Sequence, residues 1–255
     1  MQTLDENSVA LVFGANGGLG LAFARQLLAE SRVGLVWAAT RDPDSPSLQD
    51  LKRLYGERLR PVAVDITDEA SIAALADEVA GHTPQLHLLI NAFGFLHDEA
   101  DGIRPEKRLE DLSAAGLERN FAVNAMAPAL IARHFIGLIS HQQRAVFASL
   151  SARVGSIDDN RLGGWYAYRM SKAAQNMFTR GLAIECARRA KRLICLALHP
   201  GTTDTALSAP FQSRVPAGKL FTPDFAASQL LSVIDRSDIE DSGGFFAWDG
   251  AAIPW

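Results

Sequence analysis

The sequence predicts a single α/β domain in which a seven-stranded, doubly wound parallel sheet is flanked by helices. Seven short apolar segments alternate along the chain with longer amphipathic ones. Each short segment is apolar along its whole length, as expected of strands that helices cover on both faces. Repeated β-α-β units with right-handed crossovers place such strands in one parallel sheet. The predicted strands are residues 9–13, 33–39, 61–64, 86–90, 145–150, 193–198 and 244–248.

Helices are predicted between these strands. They are residues 18–30, 47–55, 68–80, 109–139, 164–190 and 223–236. Thr67 or Asp68 is placed to cap the third helix, and Pro223 suits the first turn of the last one. The irregular segments 92–108 and 202–222 each follow a predicted strand. We therefore expect the binding site at the carboxyl edge of the sheet, where folds of this class bind ligands.

The composition is typical of a globular domain, which we expect to span residues 1–255. Hydrophobic residues make up 48% of the chain, the net charge is −4, and no apolar run reaches the ~18 residues that a membrane span needs. The polar, acidic N-terminus does not resemble a signal peptide. Cys186 and Cys195 are expected to be reduced thiols of a cytoplasmic protein. The six histidines form no metal-ligand pattern and the basic residues form no stripe, so we expect neither a metal nor a nucleic-acid partner.

A glycine-rich turn between the first strand and the first helix predicts a dinucleotide site. The turn contains Gly14, Asn16, Gly17, Gly18, Leu19 and Gly20. A turn this tight needs residues without a Cβ, so that backbone N–H groups can approach a pyrophosphate at the helix N-terminus. The glycine spacing is G-x3-G-x-G rather than G-x-G-x-x-G. A tight turn without a ligand is the alternative interpretation.

The residues after the second predicted strand favour NADP(H) over NAD(H). A site that prefers NAD usually carries an acidic residue ~20 residues after the glycines, where it binds the ribose hydroxyls. Here Thr40 stands at that position and Arg41 follows it. A guanidinium suits a 2′-phosphate, and the missing carboxylate removes the repulsion against one. Alternatively, Arg41 is a solvated loop charge or the ion-pair partner of Asp42.

The segment GGWYAYRMSK offers two tyrosines to one lysine. Tyr168 and Lys172 are four residues apart on a predicted helix and therefore share a face, whereas Tyr166 points away from Lys172. A free phenol has a pKa of ~10, and a nearby ammonium can lower that value by roughly 1–3 units. A tyrosine tuned in this way can exchange a proton with a carbonyl oxygen. The alternative is an ordinary surface lysine packed against an aromatic ring.

Taken in order, these motifs resemble the short-chain dehydrogenase/reductase family over essentially the whole chain. The matching segments are GANGGLG, the DI after the third strand, NAFG, FAVNAMAP, the serines after the fifth strand, YRMSK and HPGTTDT. The segments SARVGSI, GGWYAYR and DGAAIPW resemble the branch of C-factor and sniffer-like carbonyl reductases within the classical-length type. The resemblance implies a single-domain Rossmann fold.

The resemblance also implies the roles of individual residues. The implied catalytic residues are Asn124, Ser151, Tyr168 and Lys172. The implied cofactor contacts are Gly14, Asn16, Gly17, Gly18, Leu19, Gly20, Thr40, Arg41, Asp65, Ile66, Asn91, Ala92, Gly94, Tyr168, Lys172, Pro200, Gly201, Thr202 and Thr203. Lys172 would also bind the nicotinamide ribose, and Asn124 would hold a water of the proton relay. Alternatively, Asn124 caps a kink and Pro200-Gly201 is only a turn.

The catalytic serine is the least determined of these positions. In the family it is usually the second residue of a Ser-Ser pair. Alignment on Gly155 places Ala152 in that position, whereas ungapped alignment on the fifth strand places Ser151 there. We choose Ser151, with Ser149 and Ser156 as alternatives.

The resemblance implies an NADP(H)-dependent oxidoreductase that interconverts a carbonyl and an alcohol. Tyr168 would transfer the proton, Lys172 would lower its pKa and Ser151 would orient the substrate oxygen. A dinucleotide-binding signalling or regulatory protein with little turnover is the alternative. The expected substrate lid, residues 203–222, mixes apolar residues with Arg214 and Lys219, so it indicates neither a purely apolar nor an anionic substrate. A homodimer or homotetramer is implied through the helices at 109–139 and 164–190.

Overall fold

The computed structural model describes Leu4 and residues 6–255 and contains the predicted parallel sheet. The strands are β1 (Ser8–Phe13), β2 (Val33–Thr40), β3 (Leu59–Ala63), β4 (Leu88–Asn91), β5 (Ala145–Leu150), β6 (Leu193–His199), β7 (Thr202–Thr203), β8 (Leu220–Phe221) and β9 (Gly244–Ala247). Seven of them form one sheet in the order β3-β2-β1-β4-β5-β6-β9, with every neighbouring pair parallel. The strand order reverses between β1 and β4, which opens a crevice at their carboxyl ends. The seven-stranded, doubly wound fold is therefore confirmed.

The helices agree with the prediction except in one region. They are α1 (Gly18–Ala29), α2 (Pro46–Tyr55), α3 (Glu69–His82), α4 (Ala114–Phe121), α5 (Ala127–Ile139), α6 (Tyr166–Arg189) and α7 (Pro223–Arg236). The helix predicted at 109–139 differs in its details: a 3₁₀ turn at Leu109–Asp111 comes first, the helix begins at Ala114, and a π-helical segment at Ala122–Met126 joins α4 to α5. The Ser113 hydroxyl caps α4, so the helix begins there.

Side-chain caps define the starts of two other helices. The carboxylate of Asp68 accepts a hydrogen bond from the Ala70 N–H and so caps α3. The Thr67 hydroxyl donates instead to the Asp65 carboxylate, so Asp68 is the cap of α3 and Thr67 is not. Pro223 occupies the first turn of α7, as predicted, because that position needs no backbone N–H.

The core lies on both faces of the sheet, which explains why the strands are apolar throughout. Along β1, Val12 packs into the layer of α1 and α7, whereas Leu11 packs into the layer of α3, α5 and α6. A side-chain period of two therefore buries every residue of a central strand. The result is a rigid sheet whose loops carry the site.

The continuous helix Ala114–Ile139 is long and apolar enough to cross a membrane by length and composition alone. A core helix passes the same test, and Ile131, Phe135 and Ile139 are buried in the layer that covers one face of the sheet.

Both cysteines, Cys186 and Cys195, are buried free thiols.

Candidate active site

A cavity of about 690 Å³ follows the carboxyl edge of the sheet from the glycine turn to the predicted lid. Most of the predicted cofactor contacts line it, namely Gly14, Asn16, Gly17, Gly18, Leu19, Thr40, Arg41, Asp65, Ile66, Ala92, Gly94, Tyr168, Lys172, Pro200, Gly201, Thr202 and Thr203. Gly20 and Asn91 do not belong to this wall. Gly20 is packed beneath the turn, and Asn91 is buried in the sheet, where its Nδ2 donates to the Ser149 hydroxyl at 2.9 Å.

The glycine turn forms because two of its glycines approach other backbone closely. Gly14 has a positive φ of 76°, and its N–H donates to the Ala39 carbonyl at 2.9 Å. A Cβ at Gly20 would overlap the Gly14 carbonyl oxygen. The N-cap of α1 is Gly17, which supplies no side-chain acceptor to the first N–H groups of the helix, and Gly17, Gly18 and Leu19 line the cavity. Such an end favours an anion.

At the end of the cavity beyond β2 and β3, Arg41 and Arg119 act on the carboxylate of Asp65. The Asp65 carboxylate accepts hydrogen bonds from the Thr67 hydroxyl at 2.6 Å and the Thr67 N–H at 2.8 Å, which lower its pKa, and Arg41 and Arg119 lower it further. Arg41 is exposed at the rim. Within the described part of the chain it forms no ion pair with Asp42 or any other acid.

The two tyrosines of GGWYAYRMSK lie on opposite sides of α6, as the helical spacing predicted. Tyr168 is 7% exposed and lines the cavity, with the Lys172 Nζ 5.9 Å from the centre of its ring. Tyr166 lines a separate space of about 280 Å³ together with Arg169 and Met170. Tyr168 is therefore the tyrosine that shares a site with Lys172.

The Lys172 ammonium is held by two oxygen acceptors rather than by the phenol. Its Nζ donates to the Leu150 carbonyl at 2.7 Å and to the Gln175 Oε1 at 2.9 Å. Burial lowers the pKa of Lys172 to about 7 and raises the pKa of Tyr168 well above its usual value of 10. The predicted lowering of the Tyr168 pKa is thus not seen in the protein alone, because the cost of burying a phenolate is the dominant effect.

Asn124 lies behind the cavity wall, in the π-helical segment. Its Oδ1 accepts from the Phe95 N–H at 2.8 Å, and its Nδ2 donates to the Phe95 carbonyl at 2.7 Å and to the Ser171 hydroxyl at 3.0 Å. A Cβ at Gly94 would lie 3.6 Å from the Asn124 Oδ1 and 3.7 Å from the Lys172 Nζ. Asn124 therefore fixes the loop after β4 directly beside Lys172. Irregular π turns of this kind often occur at functional sites.

Of the three candidate serines, Ser151 is the one that lines the cavity. Its hydroxyl donates to the Asn176 Oδ1 at 2.6 Å. The Ser149 hydroxyl is buried in the sheet, and the Ser156 hydroxyl accepts from the Asp159 N–H at 3.0 Å in the loop beyond.

A comparison with protein families decides the class of the chain. The family described as short chain dehydrogenase matches residues 8–215. The chain belongs to this family.

Two solved structures and one curated relative are similar to this short-chain dehydrogenase over much of their length. An NADPH-bound carbonyl reductase from chicken fatty liver is 30% identical, with a TM-score of 0.84 over 99% of this chain and 100% of that one. Carbonyl reductase Sniffer of D. melanogaster, at 24% identity, shares the fold with a TM-score of 0.85 over 98% and 99%. C-signal of Myxococcus xanthus is 36% identical over 148 residues, which are 58% of this chain and 83% of that protein. The short-chain dehydrogenase is therefore an oxidoreductase of CH–OH and C=O groups that uses a nicotinamide dinucleotide.

The structure of this short-chain dehydrogenase brings residues to the site that the sequence analysis missed. Gln175 accepts a hydrogen bond from Lys172, which its position three residues later on the helix could have indicated, and Asn176 accepts one from Ser151, 25 residues away, which no local spacing shows. His199 also lines the cavity, and burial lowers its pKa to about 4, so its ring is neutral at pH 7. Trp165 and Phe211 line the end near the lid.

The charges of the predicted lid do not face the cavity. Leu207 and Phe211 belong to its wall, whereas Arg214 and Lys219 do not. The part of the lid that lines the cavity thus contributes Leu207 and Phe211 but neither of these two cations.

Proposed function

We propose that this short-chain dehydrogenase is an NADPH-dependent carbonyl reductase in which Tyr168 is the proton donor. The observation that carries the proposal is one continuous cavity that holds Tyr168, Lys172 and Ser151 and begins at the glycine turn. When bound, the dinucleotide supplies the hydride. The similar chicken liver structure is an NADPH-bound carbonyl reductase.

The residues of the chain fit a 2′-phosphorylated dinucleotide. The close packing at Gly14 and Gly20 and the uncapped start of α1 suit a pyrophosphate. Thr40 brings no negative charge to the end of β2, and Arg41 has no ion-pair partner in the range that the structure describes. Arg41 is therefore proposed to bind the 2′-phosphate and to set a preference for NADPH over NADH.

Tyr168 suits the reductive direction. Its raised pKa keeps the phenol protonated at neutral pH, so it can donate a proton to a carbonyl oxygen. The charged form of Lys172 then stabilises the phenolate that remains, and the same side chain is proposed to bind the nicotinamide ribose. Asn124 is proposed to act in the proton relay through the loop that it holds beside Lys172.

Ser151 is proposed to orient the substrate oxygen by donating a hydrogen bond to it. The hydroxyl must then turn from the Asn176 Oδ1, which is its present acceptor. Ala152 also lines the cavity but has no donor, so it cannot take this role.

A signalling or regulatory protein with little turnover is the second candidate. Two observations favour this second candidate. One of the two alignments places Ala152 at the position of the catalytic serine, and the chain is similar to C-signal. Oxidation of NADPH by the purified protein in the presence of a panel of aldehydes and ketones discriminates between the two. Turnover supports the reductase, whereas cofactor binding without turnover of any compound supports the second candidate.

The proposal also covers the self-association of the chain and its cytoplasmic location. Met170, Met177 and Ile184 lie seven residues apart on α6 and are 48%, 74% and 54% exposed. We propose that this stripe is covered in a cytoplasmic homodimer or homotetramer. Light scattering coupled to size-exclusion chromatography tests the assembly, and a monomer at micromolar concentration would contradict it.

A further inference from the structure

Trp165 stands at the substrate end of the cavity in an unusual backbone conformation. Its φ of 51° and ψ of 44° are left-handed, and it is the one residue other than glycine with a positive φ in the described part of the chain. A bulky side chain disfavours this conformation, and such residues cluster at ligand sites. The preceding Gly163 and Gly164 are also left-handed, with φ of 63° and 65°. Three consecutive left-handed residues thus form the entry into α6.

Two backbone contacts hold Trp165 in place. Its N–H donates to the Glu106 carbonyl at 2.6 Å, and its carbonyl accepts from the Arg169 N–H at 2.8 Å in the first turn of α6. Trp165 lines the cavity, and its ring centre is 6.4 Å from that of Tyr168 in an edge-on arrangement. The conformation fixes an aromatic surface beside the proposed proton donor.

Phe211 completes an aromatic pair from the opposite side. It belongs to the 3₁₀ turn Ala209–Arg214 of the lid, and its ring centre lies 4.9 Å from that of Trp165 at an angle of 46°. Both residues line the cavity, and Phe95, Leu96 and Leu207 are among its other apolar lining residues. Arg153, which also lines the cavity, is ion-paired with Asp159.

We propose that Trp165 and Phe211, whose rings pack against each other, form one aromatic wall of the cavity against which a flat aryl group stacks, so that the enzyme prefers carbonyl compounds with an aromatic ring next to the C=O. This inference rests on the proposed function. Tyr168 and Ser151, whose hydroxyls are proposed to bind the carbonyl oxygen, line the same cavity. Aromatic rings pair favourably edge to face or offset, which a saturated ring cannot do.

The test compares acetophenone with cyclohexyl methyl ketone, which differ only in the aromaticity of the ring. The ratio of their kcat/KM values with NADPH is measured for the unmutated protein, W165L and F211L. Because this ratio is compared between the variants and the unmutated protein, the intrinsic reactivity of each ketone cancels. We expect each variant to lower the acetophenone preference by roughly two- to tenfold, the range that one aromatic pair contributes. An unchanged ratio in both variants would overturn the proposed role of the aromatic wall.

A matched control and a binding measurement complete the test. Phe225 packs against Phe221 and Trp248 outside the cavity wall, so F225L should leave the ratio unchanged. Calorimetric titration of the NADP⁺-saturated protein with each ketone reports binding to the aromatic wall without turnover. Weaker acetophenone binding in F211L without any reduction would refute the proposed function but support the aromatic wall. If both ketones are reduced and the ratio is the same in the variants as in the unmutated protein, the result supports the proposed function and refutes the aromatic wall.

Discussion

Replacing Gln175 with leucine is expected to move the basic limb of the pH–rate profile to lower pH. The Gln175 Oε1 is one of two acceptors that hold the charged form of Lys172, at 2.9 Å. Leucine cannot accept a hydrogen bond, so the charged form loses one of its two partners. Gln175 is 1% exposed and its Nε2 has no hydrogen-bond partner among the described residues, so leucine, which is of similar size, removes one unpaired buried polar atom. We therefore expect the variant to fold.

The size of the shift follows from the strength of this hydrogen bond. A hydrogen bond to a charged group is worth ~1.5–3 kcal/mol, and one pKa unit corresponds to ~1.4 kcal/mol. The pKa of Lys172, about 7 in the unmutated protein, should fall by roughly one to two units. In the proposed mechanism reduction needs the charged lysine, so activity should be lost at a correspondingly lower pH.

The assay is kcat/KM for one reducible ketone across the pH range at saturating NADPH. The control is Gln175→Glu, because a carboxylate in the same place favours the ammonium and should move the basic limb to higher pH. A purely structural role would lower the rate in both variants without moving the limb in opposite directions. If both variants keep the limb of the unmutated protein, Gln175 does not hold the charge of Lys172.

Three further predictions test the site. Arg41→Ala should erase most of the preference for NADPH, roughly one to two decades in affinity; equal fluorescence titrations of the unmutated protein with NADPH and NADH would refute the 2′-phosphate role. Tyr168→Phe should lose roughly 10²–10⁴-fold in activity because it has no proton to give, while Tyr166→Phe in the same assay should stay active. Ser151→Ala should lower kcat with NADPH affinity nearly intact and Ser156→Ala should be mild; the opposite order would move the serine role to Ser156.

The sequence determined the parts of this protein that depend on neighbours along the chain. The apolar runs predicted all seven strands of the sheet, because a strand covered on both faces buries every side chain. The glycine turn was also predictable, since close backbone approach excludes a Cβ. The i, i+4 spacing correctly placed Tyr168 beside Lys172 and Tyr166 on the far side, because helical geometry fixes that relation locally.

The tertiary structure decided the features that depend on burial and on distant segments. Nothing in the pattern of 109–139 showed the π-helical segment, which coincides with the bonds from Asn124 to Phe95, 29 residues away. The raised pKa of Tyr168 depends on how completely the folded chain excludes water, and sequence spacing does not measure that. Trp165 meets Phe211 only because the lid folds back over the start of α6. Local periodicity fixes which elements form, but the electrostatics and shape of the cavity arise from contacts between residues that only the fold brings together.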